Sequence, residues 1–491
     1  MLTGFWTAVL AGSLLVYLLI LLVIGVRASR QAGDSAEEYL LAGRNLPLPM
    51  AVITLLATWF GAGVMLTVTD EVASQGLPAA TLDPLGVALC LFLAGWWLAA
   101  PLWNMGLLTI GDYYRQRFGV VTEKLAAVIL IPSYFGWIAV QFIAVARLLE
   151  LFFGIDMSWG IVAVMLAGTL YTLLGGLRAV VWTDVFQLGL VLIGVVYLAF
   201  AVAGEVGWAQ TQLTMQAAVL EPRAWSEVVL MLDLLVVGAL GNLPAQDLIQ
   251  RFLCVRSAPA ARRACFWAGG GYLVFGLFPI GMGLLAVHVL PETSAGVVMG
   301  IANKLLTGPA MVIFVLAVVS AVLSTIDGAI LSPAGVLAQN LLPASVRARW
   351  GTVAVNRAAV VFVALCSLAT AFSGKAAYSL LEEAYSLMLV GLLVPLLGGL
   401  WFPRRPPLAA IASMLVGTGL WLPHLWLDEP EWLGEPWLQP LGLHLPLNLT
   451  ITALAAATFF VVGRDRQLTP KSADRPSTPN SIDAASRLNY R

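Results

Sequence analysis

Charge is what this sequence holds least of. Asp, Glu, Lys and Arg make up 11% of its 491 residues, and hydrophobic residues make up 60%. A soluble domain runs at roughly 25% charged and 45–50% apolar. No soluble fold of this length hides that excess, so the solvent is lipid. Histidine is nearly missing too: His288, His424 and His444 sit near the ends of apolar runs and read as interfacial residues, which excludes a histidine proton relay. The four cysteines (Cys90, Cys254, Cys265, Cys366) lie in or beside apolar runs without paired spacing, which excludes a disulfide framework and a zinc site. No basic tract exists to track phosphates, and the formal net charge is -1, so nucleic acid is not the partner. No nucleophile–base pair or metal cluster points to an enzyme. The first apolar run, Phe5 to Val26, has no basic region before it. It is also longer than the ~7–15 residues of a signal-peptide core, so it reads as a retained span.

What the chain does hold is long apolar runs, each near the ~20 residues needed to cross the hydrocarbon. Thirteen are read at 5–27, 47–74, 78–103, 122–151, 157–176, 179–203, 227–252, 264–290, 308–340, 352–373, 378–402, 406–424 and 444–463. Placing the N-terminus outside and the C-terminus inside puts 22 of the 26 Lys and Arg on the cytoplasmic side. Only Arg147, Arg223, Lys304 and Lys375 fall on or near the outer side. The tail after Arg464 is polar and aperiodic, and 465–491 is expected to be a disordered cytoplasmic tail. It has no room for the signalling domain that a transporter-like sensor appends. The loop Asp428–Pro440 is rich in Trp, Pro and Glu and suits an outer interface.

Two spans carry helix-weakening residues at mid-depth. The second reads ATWFGAGVMLT, with Gly61 and Gly63; the seventh reads VVGALGNLPAQDLIQR, with Gly238, Gly241, Asn242 and Pro244. Glycine loosens a helix and proline removes a donor. Unwound backbone at that depth is tolerated where it lines a cavity. Interrupted helices five spans apart point to an inverted repeat with a binding site between its halves. The plainer reading is that the glycines let helices pack closely.

The ninth span reads AVVSAVLSTIDGAILSPAG, placing Ser320, Ser324, Thr325 and Asp327 in an apolar helix. Hydroxyls and freed carbonyls suit a sodium ion, although such hydroxyls also bond back to their own helix. Asp184, in WTDVFQ, is either a functional intramembrane carboxylate or an interfacial one paired with Arg178. Asp70, Glu71, Asp83, Asp233, Asp247 and the pair Glu382–Glu383 raise the same question. A proton-coupled carrier is the rival to sodium coupling, with Asp184 or Glu383 as its titrating group. Acidic groups near the core outnumber basic ones, with Arg147 read as the only deep arginine. That balance favours a cationic or zwitterionic solute over a dicarboxylate.

The order of motifs resembles the sodium/solute symporter family, which includes proline, glucose, sialic acid and choline carriers. The resemblance runs from about Glu38 to Phe402, through EEYLLAGRNLP, ATWFGAG, GDYYRQRFG, LYTLLGGLRAVVWTDVFQLGL, LPAQDLIQR and AVLSTIDGAILSPAGVLAQNL. It implies an all-α LeuT-like core of two inverted five-helix repeats, 47–203 and 227–402. Around it lie an N-terminal helix and loop (1–46), an extracellular loop (204–226) and two C-terminal helices (403–464). It implies a multi-pass protein of the cell membrane, no cofactor, and sodium as the coupling ion. The sodium site would use the carbonyls of Ala57, Phe60 and Ala321 and the hydroxyls of Ser324 and Thr325, in an intact AxxST pattern. Asp184 matches an aspartate that some members use for a second sodium or for coupling, with Ser320 beside it. Solute would lie near Trp59, Gly61, Trp137, Gln141, Gly241, Asn242 and Ala245. Local wording is nearest the choline-carrier branch, whose aromatic cage holds a quaternary ammonium. Trp59 matches one cage position, but the others fall on Val87, Val140 and Ala245, which argues against choline.

Overall fold

A computed structural model describes residues 4–29, 35–290, 296–425 and 446–463. His444, the loop Asp428–Pro440 and the tail after Arg464 lie outside the described residues. The chain is all-helical, as lipid requires of a spanning backbone that must satisfy its own polar groups. Helix α1 (Gly4–Ser29) is followed by the short α2 (Ala36–Leu41). Helices α3 (Leu48–Trp59) and α4 (Gly63–Gln75) form one span bent by 54°. Next come α5 (Leu77–Asn104), α6 (Ile110–Phe118), α7 (Val120–Phe153) and α8 (Met157–Val206). Helix α9 (Trp208–Leu220) meets α10 (Trp225–Gly241) at a 97° bend, and a break at 242–245 separates α10 from α11 (Gln246–Leu253). The chain continues through α12 (Ala258–Val289), α13 (Val297–Leu305), α14 (Gly308–Leu341), α15 (Ala344–Trp350), α16 (Thr352–Ala371), α17 (Ala377–Trp401), α18 (Pro407–Leu425) and α19 (Leu447–Val462). Among the described residues nine helices are long and apolar enough to span a membrane, or eleven if each bent pair is one span; Met157–Leu170 and Leu447–Val462 are shorter apolar helices.

Specific residues set the bends. Helix α8 turns at Gly176 (φ 54°), where a Cβ would lie 2.6 Å from the Tyr39 carbonyl of α2. Only glycine combines that backbone with that approach. The hinge separates the runs read at 157–176 and 179–203. Helix α6 begins with a capping box, in which Thr109 and Asp112 satisfy each other's backbone donors. One expectation is corrected: the segment 204–226, read as a loop, contains α9. Its Ala, Gln, Leu and Met favour a helix, and Gly207 and Pro222 bracket it. It buries no residue.

Side chains divide as lipid demands. Leu15, Leu19, Leu166, Leu170, Ile193 and Phe200 are exposed, while the buried interior holds Thr54, Asp83, Asp184, Gln141, Asp247, Arg251, Ser324 and Asp327. Helix α14 packs most extensively on α8, and α12 on α5, with α3 and α4 beside it. Helices α5 and α10 touch backbone to backbone: a Cβ on Gly238 would lie 2.0 Å from the Leu82 carbonyl. A Cβ on Gly241 would lie 2.5 Å from the Tyr385 carbonyl of α17. For these two glycines close packing accounts for the residue.

That contact is testable. Gly238→Ala forces two backbones apart and is expected to destabilise the protein by about 2 kcal/mol, as overpacking does. Gly204→Ala, which meets nothing within 4 Å, is expected to leave the melting temperature in detergent unchanged. Equal melting temperatures for the two variants would refute the contact.

Candidate functional site

The α3–α4 break begins where Phe60 leaves the helix (φ -79°, ψ 63°). Its freed groups are met by side chains from other helices. Ala62 N donates to Gln141 Oε1 of α7 at 3.0 Å. Tyr272 Oη of α12 lies 3.1 Å from the Trp59 carbonyl. A Cβ on Gly61 would fall 2.3 Å from Thr325 Oγ1 and 3.1 Å from Gln141 Oε1. Gly61 is therefore the point where the break faces α14 and α7 together, and only a hydrogen fits there.

On the α14 side, Ser324 Oγ lies 3.3 Å from the Ala57 carbonyl and 2.5 Å from Asp184 Oδ1. A hydroxyl has one proton and two lone pairs. Given to the carboxylate, that proton leaves the lone pairs free to face a cation. Thr325 Oγ1 donates to the Ala321 carbonyl at 3.1 Å. Ala57, Phe60, Ala321, Ser324 and Thr325 thus lie together at the α3–α14 crossing. Asp184 is wholly buried on the second half of α8, and its other oxygen accepts from Thr54 Oγ1 at 2.5 Å. Arg178 pairs instead with Glu38 at 3.2 Å, so the interfacial reading of Asp184 is set aside. Ser320 is buried one turn before Ser324 and packs beside Tyr17 of α1.

The second break is stitched to the first. Asn242 Nδ2 donates to the Gly238 carbonyl at 2.9 Å, and Ala245 is the N-cap of α11. Asn242 is therefore occupied in holding its own break. Asp247, in the first turn of α11, accepts from Trp59 Nε1 at 2.5 Å and from the Tyr134 hydroxyl. Trp137 packs on Tyr134 with ring centroids 5.8 Å apart. Trp59, Gly61, Trp137 and Gln141 surround the first break. Gly241, Asn242 and Ala245 belong to the second, with Gly241 pressed on α17. The positions Val87, Val140 and Ala245 are each 1% exposed and offer no ring.

Charge placement corrects one reading. Arg147 is exposed, whereas Arg251 of α11 is 0% exposed. Its Nη1 lies 3.4 Å from Gln250 Oε1, and its Nε and Nη2 have no hydrogen-bond partner among the described residues. The charge of Arg251 acts on both Asp184 and Asp247. Sequence reasoning also missed Thr54 and Tyr272. Thr54 lies three residues before Ala57, a spacing that would have put its hydroxyl on the same helix face. Tyr272 has no such local signal.

The two ends of the site differ. At the α4 end a cleft of about 780 Å³ is lined by Leu66, Thr67, Asp70, Glu71, Val140, Arg147 and Tyr378, among others. At the α2 end the protein is closed. Ile110 N donates to Gln246 Oε1 (2.7 Å), Gln250 Nε2 to the Leu40 carbonyl (2.5 Å), and Ser332 Oγ to Gln250 Oε1 (2.8 Å). All eight residues of α11 are buried.

This architecture has known relatives. The chain is similar to the high-affinity choline transporter 1 of Caenorhabditis elegans (25% identical, covering 91% of this chain and 83% of that protein). It is also similar to the human high affinity choline transporter 1 (28% identical, covering 87% and 78%). Its fold matches a Na+-coupled sialic acid symporter at a TM-score of 0.74 and 18% identity, covering 94% of this chain and 97% of that one. It matches the nucleobase-cation-symport-1 transporter Mhp1 at 0.55 and 15% identity, covering 88% and 92%. These relatives are transporters, not enzymes, and the family's coupling ion is sodium. The model of the sodium:solute symporter family matches residues 39–417, and the chain belongs to that family.

Proposed function

We propose that this protein imports a small cationic or zwitterionic organic solute together with sodium, by alternating access across the cell membrane. Sodium binds at the α3–α14 crossing, held by the carbonyls of Ala57, Phe60 and Ala321 and the hydroxyls of Ser324 and Thr325. The observation that carries this reading is the Ser324 hydroxyl, poised between the Ala57 carbonyl and the Asp184 carboxylate. Freed carbonyls with hydroxyls and one carboxylate behind them form a hard-oxygen set suited to sodium at membrane depth. Asp184 orients Ser324 and offers a second cation position, with Thr54 as its other support and Ser320 one turn away. Solute lies against the break near Trp59, Gly61, Trp137 and Gln141, with Asn242 and Ala245 bordering it from α10 and α11.

The cleft at the α4 end is the outer vestibule, and the closed α2 end is the cytoplasmic gate. The chain crosses thirteen times with its N-terminus outside. Counting both bent pairs and both shorter apolar helices supports that number, and the alternation of Lys and Arg supports the orientation. The positions Val87, Val140 and Ala245, which bring no ring, favour a solute other than choline.

Three measurements check this reading. Replacing Ser324 and Thr325 together by alanine is expected to abolish sodium-dependent uptake in proteoliposomes; uptake and sodium affinity at the original level would sink the site. Thr54→Val removes a donor from a buried carboxylate. It is expected to weaken sodium binding by about tenfold or more, since hydrogen bonds to charged groups contribute roughly 1.5–3 kcal/mol. Sodium-dependent thermal shift reads that change, and an unshifted titration would refute the role of Asp184. For topology, cysteines placed at Thr3 and at Ser472 are expected to react with an impermeant maleimide from outside and inside, respectively. The reverse pattern would overturn the orientation.

A further inference from the structure

Three buried aspartates surround the first break, and their surroundings differ. Asp184 accepts from two hydroxyls, and Asp247 accepts from an indole and a phenol. Both feel the charge of Arg251. Asp83, on α5, has neither advantage. It is 1% exposed and is met by one donor, Tyr272 Oη at 2.9 Å from Oδ1. Among the described residues no Lys, Arg or His forms an ion pair with it. An intramembrane carboxylate without a cationic partner is costly to hold and marks a functional site.

The surroundings of Asp83 specify what the missing partner is. Its backbone leaves the helix (φ -148°, ψ 131°). Its Oδ2 lies 3.9 Å from where a Cβ on Gly63 would stand, beside the break. Tyr272 Oη lies between two acceptors, Asp83 Oδ1 at 2.9 Å and the Trp59 carbonyl at 3.1 Å, and has one proton to share. The Trp59 carbonyl also accepts from Gly61 N at 2.9 Å, so the shortage of donors falls on Asp83. The rings of Phe60 and Tyr272, 5.7 Å apart and edge to face, flank the group. Above it, Leu381 of α17 fills the recess over Gly63, its methyl carbons 3.5 and 3.7 Å from the Cβ position. Tyr378, one turn before Leu381, lines the outer cleft. That cleft presents Asp70, Glu71 and Glu150 against Arg147 alone, so its field draws cations inward.

We propose that Asp83 anchors a protonated amine of the transported solute, with Tyr272 Oη and the Trp59 carbonyl completing an acceptor set for its N–H donors. The solute reaches Asp83 when Leu381 swings aside. The substrate class is an organic cation or zwitterion bearing at least one N–H on its charged nitrogen. A quaternary ammonium has no such donor and needs a cage of ring faces instead; beyond Phe60 and Tyr272, Val87, Val140 and Ala245 add none. This inference deepens the symporter reading and rests on it.

The test uses purified full-length protein in detergent and thermal shift at saturating sodium. Three amines are paired with their permethylated forms: ethanolamine with choline, glycine with glycine betaine, and putrescine with its hexamethyl form. At least one amine is expected to stabilise the wild type, and its quaternary partner to have at least tenfold weaker half-saturation. Asp83→Asn is expected to abolish the amine response and keep the sodium response. Tyr272→Phe weakens the amine response severalfold and serves where Asp83→Asn does not fold. A quaternary form matching or beating its amine overturns the inference. So does an amine response that survives both substitutions, a sodium response lost with Asp83→Asn, or a wild type that answers sodium but none of the amines. A wild type that does not answer sodium at all instead fails the symporter reading.

Discussion

A backbone that leaves its helix in the middle of a membrane has no water to satisfy it. That constraint organises the molecule. The break after Trp59 frees polar groups, and side chains from three other helices meet it: Gln141 from α7 at the Ala62 amide, Tyr272 from α12 at the Trp59 carbonyl and Ser324 from α14 beside the Ala57 carbonyl. Through its indole, Trp59 also ties the first break to Asp247 at the second. Each stitch joins elements distant in sequence, from 79 residues apart for Gln141 to 267 for Ser324. The break is therefore the place where the helical halves of the protein are joined. Any ion or solute bound there acts on several helices together.

Environment gives the same side chain different work. Asp247 is surrounded by donors and holds two aromatic residues in place; its oxygens are spent. Asp184 is shared between Thr54 and Ser324 and directs a hydroxyl proton away from the α3 carbonyls. Asp83 keeps an oxygen beside Gly63 that accepts no hydrogen bond among the described residues, which is why it is the carboxylate assigned to the solute. Arg251 stands near the first two and supplies the countercharge that makes their burial tolerable. Two of its nitrogens, Nε and Nη2, have no hydrogen-bond partner among the described residues, so its role here is long-range charge more than directed bonding.

Much of this was legible in the sequence. Lipid imposes a length and a composition on every span, and these survive without knowledge of packing. Glycines at mid-depth likewise announce a break, and Ser324–Thr325 announce themselves by being polar in an apolar run. What the sequence does not carry is azimuth. Arg147 and Arg251 look alike on paper, both within or beside apolar runs. One faces a cleft and the other is buried at 0% exposure, because α11 is packed on all sides. Tyr272 reads as one more aromatic in a span until its hydroxyl meets the Trp59 carbonyl. Gly238 and Gly241 show the converse: the sequence leaves unwinding and close packing both open, and their surroundings are backbone carbonyls 2.0 and 2.5 Å from a Cβ, with the helix ending at Gly241. A short backbone approach and a broken helix call for the same residue, and only the neighbours tell them apart.

The asymmetry of the two ends bears on how sodium and solute are linked. A ligand shifts a conformational equilibrium only by its difference in affinity between the states. The proposed ion ligands come from α3 and α14, so the ion favours whichever arrangement keeps those helices at their present separation. In that arrangement the α2 end is sealed by Gln246, Gln250 and their partners, and the cleft stands open at the α4 end. On the proposed reading, sodium therefore holds the solute path open at the α4 end. For transport to follow, solute must offset that preference by drawing Leu381 and α17 down over the break. The proposed carboxylate beside Gly63, with Leu381 over the same glycine, would place the solute's charge where its binding and the closing of α17 are one event.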